Sequence, residues 1–169
     1  MNKSSNWKDW KAIIDENTCL TCKKNNGKIY NIDKIPLPSP PIHLFCRCTV
    51  SPMRTIQAGT ATKKGINGAD WQLKYHGILP DYYIEKSVAD RLGYDSSSGN
   101  LDEVAPGKTL SKGIYRNLNG HLPSAYGRIW YEADINYSGG FRGTERILFS
   151  NDGLIFVTYD HYETFVEII

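Results

Sequence analysis

This 169-residue chain has no apolar run longer than a handful of residues, so no segment of it can span a bilayer. It has little that resembles an export signal either. The opening residues, MNKSSNWKDWKAII, interrupt their apolar content with charge, and no small-residue cleavage site follows. No internal repeat is visible. Cysteine is confined to Cys19, Cys22, Cys46 and Cys48, which excludes disulfides from the C-terminal hundred residues. What the chain does have is 40% hydrophobic residues, with 11 Tyr and 4 Trp, enough for a globular core.

The net charge of +2 hides an asymmetry. Residues 1–68 hold 11 Lys and Arg against 4 Asp and Glu, while residues 69–169 hold 9 against 14. A basic N-terminal part suits an acidic partner such as nucleic acid, and equally suits a solvated basic segment leaning on its acidic neighbour.

Three parts are expected: residues 1–53, a helix followed by a cysteine module; 54–68, a linker; and 69–169, a compact domain. Trp7, Trp10, Ile13 and Ile14 recur at helical spacing and predict an amphipathic helix over Ser4–Glu16. Residues 54–68, RTIQAGTATKKGING, are small, polar and glycine-containing, a linker composition. Beyond Ala69, helices are expected at Asp70–Tyr75 and Lys86–Leu92. Strands follow at Ile114–Arg116, Ile129–Ile135, Arg146–Phe149, Leu154–Thr158 and Thr164–Ile168, separated by Gly-containing turns. Helices first and strands afterwards predict an α+β fold, with N-terminal helices on one face of a single antiparallel sheet.

Two clusters carry chemistry. Cys19-x-x-Cys22 followed at a distance by His43-x-x-Cys46-x-Cys48 supplies five candidate ligands where a structural zinc uses four. The four cysteines are the expected set, with His43 as a possible substitute, in a zinc-ribbon-like module. Two disulfides or free thiols are the competing readings. In the domain, strand geometry places Trp130, Glu132 and Asp134 on one face, where Arg146 from the next strand can join them. Such a pattern can be a phosphate site, or a solvated ladder of salt bridges.

The first cluster resembles the C-terminal end of the Mu-F-like minor head proteins of phages. The matching residues are Asp15, Thr18-Cys19-x-x-Cys22, Gly27-Lys28-x-Tyr30, Pro40-Pro41-x-His43-x-x-Cys46-Arg47-Cys48 and Pro52. The large helical part that precedes this motif in that family is absent.

From about Leu79 onward the chain resembles the barnase-like, guanyl-preferring bacterial ribonucleases. The residues are Leu79-Pro80-Asp81, Ile84-x-Lys86-Ser87, Gly99-Asn100-Leu101, Val104-Ala105-Pro106-Gly107-Lys108, Trp130, Glu132-Ala133-Asp134-Ile135-Asn136-Tyr137, Gly140-Phe141-Arg142, Arg146-Ile147-Leu148 and Asp160-His161-Tyr162-x-Thr164-Phe165. The resemblance implies metal-free cleavage of single-stranded RNA to a 2′,3′-cyclic phosphate, with no cofactor for the chemistry. Glu132 would be the base and His161 the acid. Lys86, Arg142 and Arg146 would neutralise the phosphoryl group, with Asp134 supporting the arginines. Tyr115, Arg116, Asn117, Asn119 and Tyr162 would bind the substrate. In the family an arginine and a glutamate follow the asparagine of the base-recognition loop; here Leu118 and Asn119 stand there, which removes charge assistance from guanine binding. Arg128 with Asp152 matches a structural ion pair of the family.

The two resemblances together imply a monomeric toxin, cytoplasmic or carried with a virion as part of a longer protein. A small acidic, barstar-like inhibitor is the expected partner, aimed at Lys86, Arg142, Arg146 and His161. The rival reading is a virion protein whose ribonuclease-like domain is idle.

Overall fold

A computed structural model describes residues 5–169. The helix expected over Ser4–Glu16 begins outside that range. Within it, the same residues form a strand, β1 (Trp7–Lys11), instead of a helix. The cause is tertiary pairing. β1 is the centre of a three-stranded antiparallel sheet, between β2 (Ile29–Asn31) and β3 (Thr49–Pro52). Ile13 and Ile14, which would have completed a helical stripe, are 57% and 54% exposed. Trp10 is buried within this small sheet, whereas Trp7 packs edge-on against Phe156 of the larger domain. A short helix, α1 (Leu20–Asn25), follows the first cysteine.

The rest is built on a seven-stranded sheet in the order β4-β10-β9-β8-β7-β6-β5. Its strands are β4 (Thr55–Ile56), β5 (Tyr83–Glu85), β6 (Thr109–Tyr115), β7 (Trp130–Asp134), β8 (Arg146–Ser150), β9 (Ile155–Thr158) and β10 (Val166–Ile168). The helices are α2 (Ala69–His76), α3 (Lys86–Arg91) and α4 (Leu101–Val104). The α+β class is as expected, but the single antiparallel sheet is not: there are two sheets, and the larger is mixed. Its central strands are antiparallel, while β4–β10 and β5–β6 at its edges run parallel.

Thr55–Ile56 and the residues after it come from the stretch expected to be a linker. Composition reveals side chains, and this stretch is held by its backbone. Ala58 N–H donates to the Ile169 carbonyl at 3.0 Å. The fully buried Asp70 carboxylate accepts from Gly59 N–H (2.7 Å), Ala61 N–H (2.9 Å) and Thr62 Oγ1 (2.7 Å). A buried carboxylate needs such donors, and three converge here.

The sheet has two covered faces. On one, Ala69 and Leu73 of α2 pack with Ala58 and Ala61 against Ala133, Ile135, Ile147, Ile155, Val157 and Ile168. On the other, Trp130, Leu148, Phe156, Leu122 and Phe165 are joined by Ile29 and Met53, with Trp7 packed alongside. The three last residues belong to the cysteine module, so the module contributes part of the larger domain's core. No helix among the described residues is long and apolar enough to cross a membrane.

Met53 is 5% exposed and sits between the two sheets. Met53→Ala is expected to cost about 3 kcal/mol, as truncation of a buried long aliphatic does. In urea the full chain should still unfold in one transition, at a lower midpoint. A midpoint unchanged from the parent would show that the two parts are not mechanically joined.

Candidate active site

β7 and β8 bring the charged face together. Their register pairs Glu132 with Leu148 and Asp134 with Arg146. Strand alternation sends Ala133 and Ile147 into the helix-side core, leaving Glu132, Asp134 and Arg146 on the opposite face. All three are almost completely buried, at 4%, 2% and 4% exposure. Asp134 grips Arg142 through both carboxylate oxygens, Nε to Oδ2 at 2.5 Å and Nη2 to Oδ1 at 2.6 Å. That carboxylate, acting first by these hydrogen bonds, raises the Arg142 pKa above its ordinary value. Arg146 Nε lies 3.1 Å from Asp134 Oδ1 and 3.8 Å from Glu132 Oε1. Its Nη1 donates to the Gly143 and Glu145 carbonyls. The guanidinium is thereby held by its far end while its near edge faces both carboxylates.

Glu132 differs from Asp134 in having an unused oxygen. Lys112 Nζ stands 2.6 Å from Glu132 Oε1, yet the approach lies outside hydrogen-bond angles, and Oε1 accepts no hydrogen bond. Sequence reasoning missed Lys112, because the strand was expected to begin at Ile114 whereas β6 begins at Thr109.

His161 follows β9 with φ +58°, and Tyr162 with φ +74°. Both are in the left-handed region, where side chains are disfavoured. Tyr162 N–H donates to Thr158 Oγ1, and Asp160 ties Thr164 back to the same turn. The turn leaves His161 exposed, its ring 4.8 Å from that of Tyr162. The Tyr162 hydroxyl is pushed well above the ordinary tyrosine range by burial and then by the Glu132 charge beside it. Tyr162 also stacks on Tyr115 at 5.5 Å between centroids. The Tyr115 pKa is raised in turn, by burial first and then by Glu132. Thus Glu132, Tyr162, Tyr115, Arg142 and Arg146 form one neighbourhood. Lys86 stands apart from its carboxylates, bound to both oxygens of Asp90 at 2.8 Å.

The loop after β6 is closed by its own side chains. Asn117 donates from Nδ2 to the Leu122 carbonyl and accepts from Leu122 N–H, so both ends of its amide are engaged by the loop. Asn119 Oδ1 accepts from His121 N–H at 3.2 Å, and its Nδ2 lies 3.1 Å from His121 Nδ1. Sequence reasoning missed His121, whose pKa burial lowers. Its carbonyl accepts from Ile29 N–H of the cysteine module at 2.8 Å. Beside it, Gly27 has φ +79°, and a Cβ there would sit 2.7 Å from the Glu163 carbonyl, so only glycine fits. Arg116 and Leu118 are exposed. Arg128 meets Asp152 with Nε and Nη2, at 2.7–3.0 Å, away from the buried carboxylates.

In the module all five candidate metal ligands are gathered into two groups that share Cys22: Cys19, Cys22 and His43, and Cys22, Cys46 and Cys48. His43 Nε2 is 3.3 Å from both Cys19 Sγ and Cys22 Sγ, and Cys22 Sγ is 3.9 Å from Cys46 Sγ. His43 Nδ1 donates to the Leu44 carbonyl at 2.7 Å, which leaves Nε2 as the free lone pair facing the sulfurs. The donor set and its second-shell support fit a tetrahedral ion. Arg47 braces the segment through a bidentate pair with Asp15, whose pKa it holds down at about 2.

Comparison with known proteins agrees with this division. A family model described as ribonuclease matches residues 69–169, and one described as Phage Mu protein F like protein matches residues 1–51. A ribonuclease of Heyndrickxia coagulans is 53% identical over 100 residues, covering 59% of this chain and 91% of that protein. Ribonucleases of Bacillus intermedius and Bacillus pumilus are each 53% identical over 100 residues, but this chain spans only 61% of their length. An endoribonuclease with a Mu-F-like N-terminal segment is what these matches describe, and from residue 69 onward the chain belongs to the barnase-like ribonuclease family.

Proposed function

We propose that the enzyme cleaves single-stranded RNA by transphosphorylation, with Glu132 as base and His161 as acid. The observation that carries this is the placement of Glu132: a buried carboxylate beside Arg146 and Lys112, whose Oε1 is contacted by charge without a well-formed hydrogen bond. Glu132 takes the proton of the ribose 2′-hydroxyl as that oxygen attacks phosphorus. The bond from phosphorus to the 5′-oxygen breaks, and protonated His161 donates to the departing oxygen. A 2′,3′-cyclic phosphate results. Arg142 and Arg146 meet the charge that grows on the phosphoryl oxygens, and Asp134 positions both. Lys86 joins them from the start of α3, exchanging Asp90 for the substrate. Because the nucleophile belongs to the substrate, DNA is bound and not cut.

Glu132→Ala and His161→Ala should each lower kcat/KM on RNA by about a hundredfold to ten-thousandfold, the usual weight of one positioned acid or base. The parent should show a bell-shaped pH profile, as catalysis by one acid and one base requires. Either variant retaining parental activity would remove the assignment.

The base-recognition loop is Tyr115, Arg116, Asn117 and Asn119, with Tyr162 closing the stack. Asn117 serves the loop itself, so the bound base meets backbone groups there, and Asn119 offers a neutral amide. A guanine preference therefore survives in reduced form. In a dinucleotide panel, cleavage after G should exceed cleavage after A by roughly tenfold, about what one hydrogen bond supplies. Equal rates would eliminate the preference.

For the module we propose a structural zinc held by Cys22 and Cys46 with two of Cys19, Cys48 and His43, cross-linking α1 to the segment before β3. It supplies rigidity and takes no part in the chemistry. The intact protein should carry about one zinc per chain. Removing zinc with a chelator should lower the melting temperature of the whole chain, because the module's apolar residues enter the larger core. Metal-free protein with four freely reactive thiols and an unchanged melting temperature would exclude it.

The exposed, cation-rich site and the Mu-F-like segment support a role as a toxin carried with a virion and restrained by a small acidic inhibitor of the barstar type. Such an inhibitor would bind Lys86, Arg142, Arg146 and His161. Leu118, 88% exposed where the family has an arginine, offers it an apolar contact instead.

A further inference from the structure

β6 carries a bulge opposite the Glu132 strand. Ser111 pairs with Ala133 and Gly113 with Glu132, so two steps along β6 answer one step along β7, and Lys112 is the extra residue. Gly113 has φ +75°, the left-handed conformation that such a bulge asks of glycine. A bulge re-aims the residue it inserts. At this bulge Lys112 Nζ reaches 2.6 Å from Glu132 Oε1.

This lysine has no other carboxylate partner among the described residues. Its side chain is one-third exposed while that of Glu132 is 6% exposed, so the ammonium closes the solvent side of the buried base. The charges of the inner cluster matter as well. The charges of Glu132 and Asp134 balance those of Arg142 and Arg146. Lys112 makes the cluster net positive before any substrate arrives.

We infer that Lys112 is a further phosphate-binding cation of the active site, parked on Glu132 in the free enzyme and transferred to the scissile phosphate when RNA binds. The inference rests on the reading of Glu132 as base. That base must come within about 3 Å of the 2′-hydroxyl, and the 2′-oxygen must stand about 3–3.5 Å from phosphorus for attack. A group in contact with Oε1 is therefore within one side-chain rotation of the phosphoryl oxygens. Lysine has three donors and a flexible stem, so it can leave one anion for the other. Its departure also frees Oε1 for the 2′-hydroxyl.

The test uses the full chain with Lys112→Met and Lys112→Arg, assayed on an RNA oligonucleotide across a range of salt. Binding of the 2′-deoxy analogue, which lacks the nucleophile, is measured alongside. For Lys112→Met we expect kcat/KM to fall about tenfold, with part of the loss in kcat. The deoxy analogue should bind more weakly, and the slope of log affinity against log salt should shrink by about 0.7, the signature of one lost single-strand phosphate contact. Lys112→Arg should recover most of both. A Met variant with parental kcat/KM and salt slope would overturn the inference, as would a Met variant with higher activity, which would make Lys112 a mask on the base. Glu132→Ala separates the two levels: if it stays active, the base assignment fails; if it is dead while Lys112→Met is parental, only the role of Lys112 fails.

Discussion

The Asp134 carboxylate is the constraint on which the site depends. It is buried on a sheet face that a simpler protein would fill with aliphatic side chains, and burying an unpaired charge there costs several kcal/mol. Two guanidiniums offset that cost, one locked bidentate and one shared along its Nε edge. Each arginine in turn is placed by the requirement: Arg142 arrives from the turn after β7, Arg146 by direct pairing across the ladder. With Asp134 saturated, Glu132 two residues away on the same face meets the 3.8 Å edge of Arg146, the ammonium of Lys112 and the nearby Tyr162 hydroxyl. Adjacent carboxylates of one strand therefore acquire different properties, one fully satisfied and structural, the other buried and chemically open.

That cluster is walled on one side by an apolar core that the larger domain does not complete alone. Trp130, Leu148 and Phe156 continue the same sheet face, and Trp7, Ile29 and Met53 of the cysteine module lie over them. The module also grips both loops that border the site. Ile29 N–H holds the His121 carbonyl, Gly27 nests against Glu163, and Ser5 Oγ donates to Glu167. A segment similar to a phage head protein is thus packed into the ribonuclease as a layer of its architecture, and the stretch between them is bound as an edge strand.

How much of this could be read from residues alone depended on what kind of information each element carries. Glu132, Asp134 and Arg146 were legible because a regular strand obeys a two-residue period and β7 and β8 are regular. His161 was legible through resemblance. The N-terminal strand was not: Trp7 and Trp10 stand three apart, which suits one helical face, but in β1 they serve two different cores. Residues 54–68 were read as a linker because their hold on the domain is made by backbone groups and by Asp70, a partner outside the stretch. Lys112 was invisible because the strand was expected to begin only at Ile114, two residues beyond it, whereas β6 starts at Thr109.

The loop after β6 is shaped by different forces from those that hold the charged cluster. Glu132, Asp134 and Arg146 sit on paired strands, where the ladder sets their positions. The loop after β6 has no ladder. It is shaped by the Asn117 amide, by the Asn119–His121 contact and, through the His121 carbonyl, by β2 of the module. Neutral Asn119 replaces a charged acceptor and is itself engaged by His121, whose burial against Phe165 keeps the ring from carrying charge easily. The geometry of this loop is therefore set partly by residues outside the ribonuclease domain. The consequence is directional: changes in the module act first on the shape of this loop, whereas changes in β7 and β8 act on the buried charged cluster.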